Sequence, residues 1–194
     1  MPTFADIMDK KELRQQIAML KKQLSTAERM AASLEVEHRV MASQQWNDAQ
    51  VVLLYHALPD EVSTAVLMEA GMKEGKRVLL PVVVGDELEL RVYEGPEAMK
   101  KGAFGILEPT GEVFPPAQYE DIQLAIVPGV AFDPDGHRLG RGKGYYDKLL
   151  PRLKNAFKMG ICWSFQRLQQ IPAEAHDVKM DWTIGQLDNL QLDN

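Results

Sequence analysis

Residues 122–147 read IQLAIVPGVAFDPDGHRLGRGKGYYD. Ile122 to Val130 is apolar and reads as a buried strand, and Tyr145 to Leu153 has helical character, with Pro151 as a stop near its end. Between them, Arg138 to Asp147 holds three glycines, three cations, two tyrosines and one carboxylate. A strand, a glycine-rich loop and a helix in that order belong to an α/β sheet. Glycine lets a backbone approach a ligand closely. Arginine suits phosphate oxygens as a planar fork and lysine as a compact charge. Asp147 is suited to hold a magnesium ion that bridges phosphates, and N–H groups at a helix start near Tyr145 suit an anion. The spacing excludes a Walker A loop, and Gly140, Gly142 and Gly144 form G-x-G-x-G rather than a dinucleotide fingerprint. A basic solvated loop shares this composition, but it has no need for the pair Tyr145 and Tyr146.

The same alternation extends outward. Val51 to Leu58 reads as a buried strand ended by Pro59 and Asp60, followed by a helix that begins at Asp60 or Glu61 and closes at Gly75. Arg77 to Val84 is a second strand. Leu88 to Tyr93 alternates apolar and charged residues and is half exposed. Residues 99–116, rich in Gly and Pro, read as a long loop of the kind that is often functional. Met159 to Trp163 and Asp181 to Gly185 complete the strands. Upstream, Leu13, Ile17, Leu20 and Leu24 recur at helical spacing. Asp9 to about Trp46 therefore reads as two helices meeting near residue 25, where Ser25 and Glu28 have capping-box spacing. Residues 1–8 read as a loose extension. Strand and helix alternate from residue 51, so an α/β sheet with helices on both faces is expected.

Length and charge narrow the function. The chain has 194 residues, 45% hydrophobic and 26% charged, and suits one domain. A net charge of −6 argues against general nucleic-acid binding. It also makes the cluster Arg138, Arg141, Lys143, Lys148, Arg152 and Lys154 more telling. Cys162 is the single cysteine, so no internal disulfide or cysteine metal cluster is possible, which fits a reducing cytoplasm. Neither a signal peptide nor a membrane span is expected.

Weaker constellations lie elsewhere. Lys10 and Arg14 share a helix face at i,i+4, as on any solvated helix. Glu61 suits the C-terminal end of the first strand, where open α/β sheets place ligands, and equally the first turn of a helix. Gly102 to Pro109 has the composition of a structural turn or of a binding loop. Glu174, His176, Asp177 and Asp181 suit either a metal site or capped surface turns. His38 and His137 have no partner visible in the sequence.

Together these pieces resemble the 5-formyltetrahydrofolate cyclo-ligase family, from about Lys10 to Trp182. Lys10-x-x-Leu13-Arg14 is similar to the family's opening nucleotide motif and Tyr55 to Thr64 to its folate-contact segment. Gly105 to Pro109 is similar to its mid-chain loop. Pro128 to Asp133 leading into Arg138–Asp147 resembles its most specific signature, and His176, Asp177 and Asp181 resemble its C-terminal acidic motif. His56 departs from the apolar or small residue expected there.

The resemblance implies a single three-layer α/β/α domain spanning 1–194, with a mixed, mostly parallel sheet, an N-terminal helical segment and a monomeric, cytoplasmic state. It implies ATP- and magnesium-dependent cyclisation of 5-formyltetrahydrofolate to 5,10-methenyltetrahydrofolate, with ADP and phosphate as the other products. The formyl oxygen is phosphorylated and N10 attacks. Lys10, Arg14, Arg138, Gly140, Arg141, Gly142, Lys143, Gly144, Tyr145 and Tyr146 would hold ATP. His56, Glu61, Arg141, Lys143 and Tyr145 would meet the folate. Arg141, Lys143 and Glu61 are the catalytic candidates. Asp147 and Asp177 would hold magnesium, with Asp181 as the alternative to Asp177.

Overall fold

The computed structural model describes residues 8–102 and 105–186. Residues 1–7, within the expected N-terminal extension, and Ala103 and Phe104 of the mid-chain loop lie outside the described residues. Helices α1 (Lys10–Gln23), α2 (Thr26–Met41) and α3 (Gln44–Asp48) open the chain. The first two meet at Ser25, which caps α2 in a full capping box with Glu28. The third helix was not expected. It follows a break at Ala42, and Ser43 caps it by accepting from the Trp46 N–H.

One sheet carries the fold, with strands β1 (Val51–Leu53), β2 (Arg77–Val84), β3 (Glu87–Val92), β6 (Val113–Phe114), β7 (Leu124–Val127), β10 (Phe157–Cys162) and β11 (Trp182–Gly185). Their order is β11-β10-β7-β1-β2-β3-β6. Pairing is parallel from β11 to β2 and antiparallel across β2, β3 and β6. The sheet is mixed and mostly parallel, as expected. Two small hairpins, β4 (Met99–Lys101) with β5 (Leu107–Pro109) and β8 (Ala131–Phe132) with β9 (Arg138–Leu139), stand outside it.

Side chains alternate along the strands and so divide the core. Val52, Val78, Leu80, Leu124, Ile126, Met159 and Ile161 face Val36 and Val40 of α2, Trp46 of α3, and Leu67 and Met68 of helix α4 (Ala65–Lys73). Leu53, Leu79, Ala125, Val127 and Cys162 face Tyr119, Ile122 and Leu149, the last from the short helix α5 (Tyr145–Leu149). Cys162 is core, and burial pushes its thiol up to about 11. Among the described residues no helix is long and apolar enough to cross a membrane.

Five boundaries differ markedly from expectation. Strand β7 keeps only Leu124–Val127 of the expected run Ile122–Val130. Strand β1 ends at Leu53; the Leu54 N–H still donates to the Leu79 carbonyl at 2.9 Å, and from Tyr55 onward the chain bonds to itself. The Tyr55 hydroxyl donates to the Val62 carbonyl at 2.8 Å, and the Thr64 hydroxyl donates to the Tyr55 carbonyl. Helix α4 starts at Ala65 rather than at Asp60 or Glu61, so Glu61 is not a first-turn helix acid. Residues 99–116 contain β4, β5 and β6 rather than one loop. Pro151 falls in a 3-10 turn, Leu150–Arg152, which shortens α5.

Thr64 makes no side-chain cap for α4. Glu37 of α2 serves instead, accepting from the N–H groups of Val66 at 2.9 Å and Leu67 at 3.3 Å. Glu37 is 2% exposed, and burial raises its carboxyl from 4.5 to about 7. The folded state therefore binds a proton that the unfolded chain releases. The resulting stability is full below about pH 4.5 and is lost as pH rises through 7. The shift corresponds to roughly 3 kcal/mol. Urea unfolding of the wild type should weaken by that order between pH 5 and 8. Glu37→Gln, which keeps the acceptor and cannot titrate, should lose this slope; an unchanged slope would clear Glu37 of it.

Candidate active site

In the sheet, β1 lies between β7 and β2, so the chain leaves its C-terminal end in opposite directions on the two sides. Open α/β sheets bind ligands at such a switch point. Here residues 54–64 follow β1, and Pro128 and Gly129 follow β7. Between them lies a cleft of about 530 Å³.

The cationic end of the cleft is built by α1 and the β8–β9 hairpin. Leu13 and Ile17 of α1 pack on Val130, Ala131, Leu139 and Ile171. This docking turns Lys10 and Arg14 into the cleft, and the Arg14 Nε–H donates to the Gly140 carbonyl at 2.8 Å. Asp133 fixes the hairpin turn by accepting from Asp135 N, His137 N, His137 Nδ1 and Ile171 N. His137 thus has a partner that the sequence did not show. Buried Gln166 donates to the carbonyls of Gly129 and Val130, at 3.1 and 3.0 Å, and holds the end of β7.

The glycine-rich loop follows. Gly142 and Gly144 have φ of 102° and 75°, a region that disfavours any residue with a Cβ. Gly144 sits at the N-cap of α5. The Arg138 side chain is 6% exposed and donates to the Pro128 carbonyl at 3.2 Å and to Asp147 Oδ1 at 3.0 Å. Its guanidinium lies 5.5 Å from the Tyr146 ring centroid. Burial, with the charge of Glu61 adding to it, pushes the Tyr146 hydroxyl well above its usual range. Lys10 Nζ is 3.8 Å from Asp177 Oδ2.

Arg141 spans the cleft. Its Nε–H donates to Glu61 Oε1 at 3.0 Å and its Nη2 to Asp60 Oδ1 at 2.7 Å. Glu61 is held in turn, since its Oε2 accepts from Leu58 N at 2.9 Å. His56 lines the same wall, and burial lowers its imidazole below the usual range, against the pull of Glu61.

The opposite end is apolar, with Pro81 and Val83 of β2, Leu88 of β3, Leu107 of β5 and Ile106 just before it. Strand β1 stops at the level of Leu79, which leaves the far half of β2 unpaired on that side. Buried Glu108 fills part of the gap, accepting from Val83 N at 3.1 Å. Every site residue expected from the sequence, from Lys10 to Asp177, lines this one cleft. Asp181 does not. It accepts from Lys158 N at 2.7 Å and lines a separate depression. Glu174 and His176 lie beside Asp177, with candidate ligand atoms of all three within 4.8 Å of one another. Ile106, Leu107 and Glu108 come from the Gly102–Pro109 stretch singled out in the sequence as a turn or a binding loop, whereas Pro81, Val83, Leu88 and Gln166 were not foreseen. For the β2 and β3 residues the alternation at Leu88 was the visible signal, and it marks a strand rather than a site.

Such a cleft can neutralise several anionic oxygens at one end and bury a flat ring at the other. The family described as the 5-formyltetrahydrofolate cyclo-ligase family matches residues 6–185. The chain is 37% identical over 165 residues to a probable 5-formyltetrahydrofolate cyclo-ligase of Schizosaccharomyces pombe, covering 77% of this chain and 81% of that one. It is 32% identical over 184 residues to the 5-formyltetrahydrofolate cyclo-ligase of Mus musculus, covering 89% and 91%. Its fold is similar to the NMR structure of Aquifex aeolicus 5,10-methenyltetrahydrofolate synthetase, with a TM-score of 0.82, 38% identity, and 93% and 91% of the two chains covered. With fold, cleft and sequence in agreement over nearly its whole length, the chain belongs to the 5-formyltetrahydrofolate cyclo-ligase family.

Proposed function

We propose that the protein converts 5-formyltetrahydrofolate to 5,10-methenyltetrahydrofolate with ATP and magnesium, releasing ADP and phosphate. The observation that carries this reading is Arg141, which joins the glycine-rich cationic loop to Glu61 on the wall that continues into the apolar end. A phosphoryl donor and a ring substrate would meet there. The N5-formyl group is a poor electrophile, because the amide nitrogen donates into the carbonyl. Transfer of the γ-phosphoryl of ATP to the formyl oxygen makes the carbon iminium-like and turns that oxygen into a leaving group. N10 then attacks the carbon, the C–O bond breaks, phosphate departs with its oxygen, and the N10 proton is lost to solvent or to His56.

Catalysis of phosphoryl transfer is mainly positioning and charge neutralisation. Lys10, Arg14, Arg138 and Lys143 would hold phosphate oxygens, and the loop at Gly140, Gly142 and Gly144 would pass close to them. Arg141 would neutralise charge on the group in flight. Glu61 and His56 would orient the folate, with Tyr145 and Tyr146 at the boundary between the two substrates. Magnesium commonly binds one or two carboxylates together with phosphates and water. Asp147 and Asp177 fit that need, since both line the cleft beside the cations. Magnesium would supply charge neutralisation across the phosphates. The single buried cysteine suits a reducing cytoplasm, and one chain carries the whole cleft, which suits a monomer.

The test is incubation with 5-formyltetrahydrofolate, ATP and magnesium while recording near-ultraviolet absorbance, where the methenyl product absorbs and the substrate does not. New absorbance with matching ADP release is expected. ATP consumption without it would point to another acceptor and overturn the reading. Asp147→Asn should raise the magnesium concentration for half-maximal rate by about tenfold, as expected for the loss of a ligating charge; a wild-type magnesium curve would remove Asp147 from the metal site.

A further inference from the structure

Lys10, Arg14 and Lys21 follow one face of α1, at i, i+4 and i+11. The first two reach the cleft. Lys21 does not line it and is 5% exposed, with its Nζ 5.8 Å from the Trp163 ring centroid. A buried ammonium is costly unless paired, and the carboxylate beside it is Asp60, at 3.5 Å through Oδ2. The other oxygen of Asp60 accepts from Arg141 Nη2 at 2.7 Å. Burial alone would raise the Asp60 carboxyl, but the Arg141 hydrogen bond and the charge of Lys21 outweigh it and hold it below its usual range.

Asp60 and Glu61 together grip two edges of one guanidinium, at Nη2 and Nε, and so fix its plane. A guanidinium has five N–H donors, so donors remain for a phosphoryl oxygen while both grips hold. Glu61 and Arg141 line the cleft and Asp60 does not. We propose that Asp60, anchored by the buried Lys21, is a positioning residue that sets the Arg141 guanidinium for phosphoryl transfer and touches neither substrate. The proposal rests on the ring closure proposed above.

The test compares Asp60→Ala, Asp60→Asn and the double variant Lys21→Met/Asp60→Ala in the methenyl assay. A misplacement of about 1 Å costs on the order of 100-fold in rate. Asp60→Ala should lower kcat by about 10- to 100-fold and leave KM for ATP and for 5-formyltetrahydrofolate within about threefold. Asp60→Asn, which keeps an acceptor, should fall between it and wild type. The double variant removes the orphaned lysine, so it should recover the melting temperature without recovering kcat. Recovery of both would show that Asp60 serves stability alone and would overturn the proposal. A readout without turnover separates this outcome from failure of the ring-closure reading. In 15N NMR, the Arg141 guanidinium should show slowed Nη rotation in wild type and free rotation in Asp60→Ala. An unchanged spectrum would sink the positioning role even in an active enzyme, while a wild type without methenyl product would sink the reaction and leave the Asp60–Arg141 restraint to be judged by the spectrum.

Discussion

Arg141→Ala should lower kcat about a thousandfold, within the range seen when a group that stabilises transition-state charge is removed, while KM for either substrate changes by less than about threefold. Arg141 has two anchors in the protein, Asp60 and Glu61, and its side chain is 43% exposed. The pair with Asp60 is half-exposed on both sides and contributes about 1 kcal/mol or less to stability, while Glu61, 12% exposed, keeps the Leu58 N–H as a partner when Arg141 is removed. The melting temperature should therefore stay close to wild type, and the lost activity cannot be assigned to unfolding. Ground-state binding of phosphates falls to Lys10, Arg14, Arg138 and Lys143, which the substitution leaves in place. Only charge that develops during transfer loses its partner, and an interaction made only in the transition state appears in kcat. Arg141→Lys should recover little, because a compact ammonium cannot hold two carboxylates and still present a planar fork. Steady-state kinetics decide the matter: a rise in KM at unchanged kcat would make Arg141 a binding residue only.

The parts of this site that were readable in the sequence are those whose chemistry is local. Arg138 to Asp147 carries its meaning within ten residues, and Ser25 with Glu28 marks a helix start at a spacing of three. Strands β2 and β3 were legible because a buried run and a period-two alternation each follow from facing one or two solvent-free surfaces. What stayed hidden depends on which surfaces meet. Arg14 binds Gly140, 126 residues away, and Arg141 binds Asp60 at a separation of 81. From spacing alone Glu61 could not be told from a first-turn helix acid, because the cap of α4 comes from Glu37, on another helix, and no spacing near residue 61 records that. Lys21 had no visible role for the same reason: its partner is set by the docking of α1, and that docking is set by Leu13 and Ile17. The shortness of β1 was hidden too, since Tyr55 is nearly as buried as the strand before it and differs in that its carbonyl accepts from the Thr64 hydroxyl instead of a neighbouring strand.

Phe132→Ala should produce a large loss of stability. Phe132 is 1% exposed and joins the β8–β9 hairpin to the sheet. Its ring lies where two glycines leave room. A Cβ on Gly129 would stand 2.6 Å from Phe132 Cζ, and one on Gly160 of β10 would overlap the ring edge. Truncating such a ring costs about 3–5 kcal/mol. For a chain of this length that lowers the melting temperature by roughly 6–20 °C. Filling the space from the other side is the complementary change: Gly160→Ala should cost about 1–3 kcal/mol by overpacking. The two sites share one volume, so they should not be independent. Phe132→Leu combined with Gly160→Ala should be less destabilised than the sum of its single variants, by about 1 kcal/mol. Strict additivity would show that the ring and the glycine do not share that space. The effect should also reach the site. The Phe132 carbonyl accepts from Leu168 N at 2.8 Å, and Phe132 pairs with Arg138 across the hairpin. A loosened hairpin lets Arg138 move off Pro128 and Tyr146. At temperatures where Phe132→Ala remains folded, KM for ATP should therefore rise more than KM for 5-formyltetrahydrofolate, because the displaced cation belongs to the phosphate end and the apolar wall of β2 and β3 is untouched.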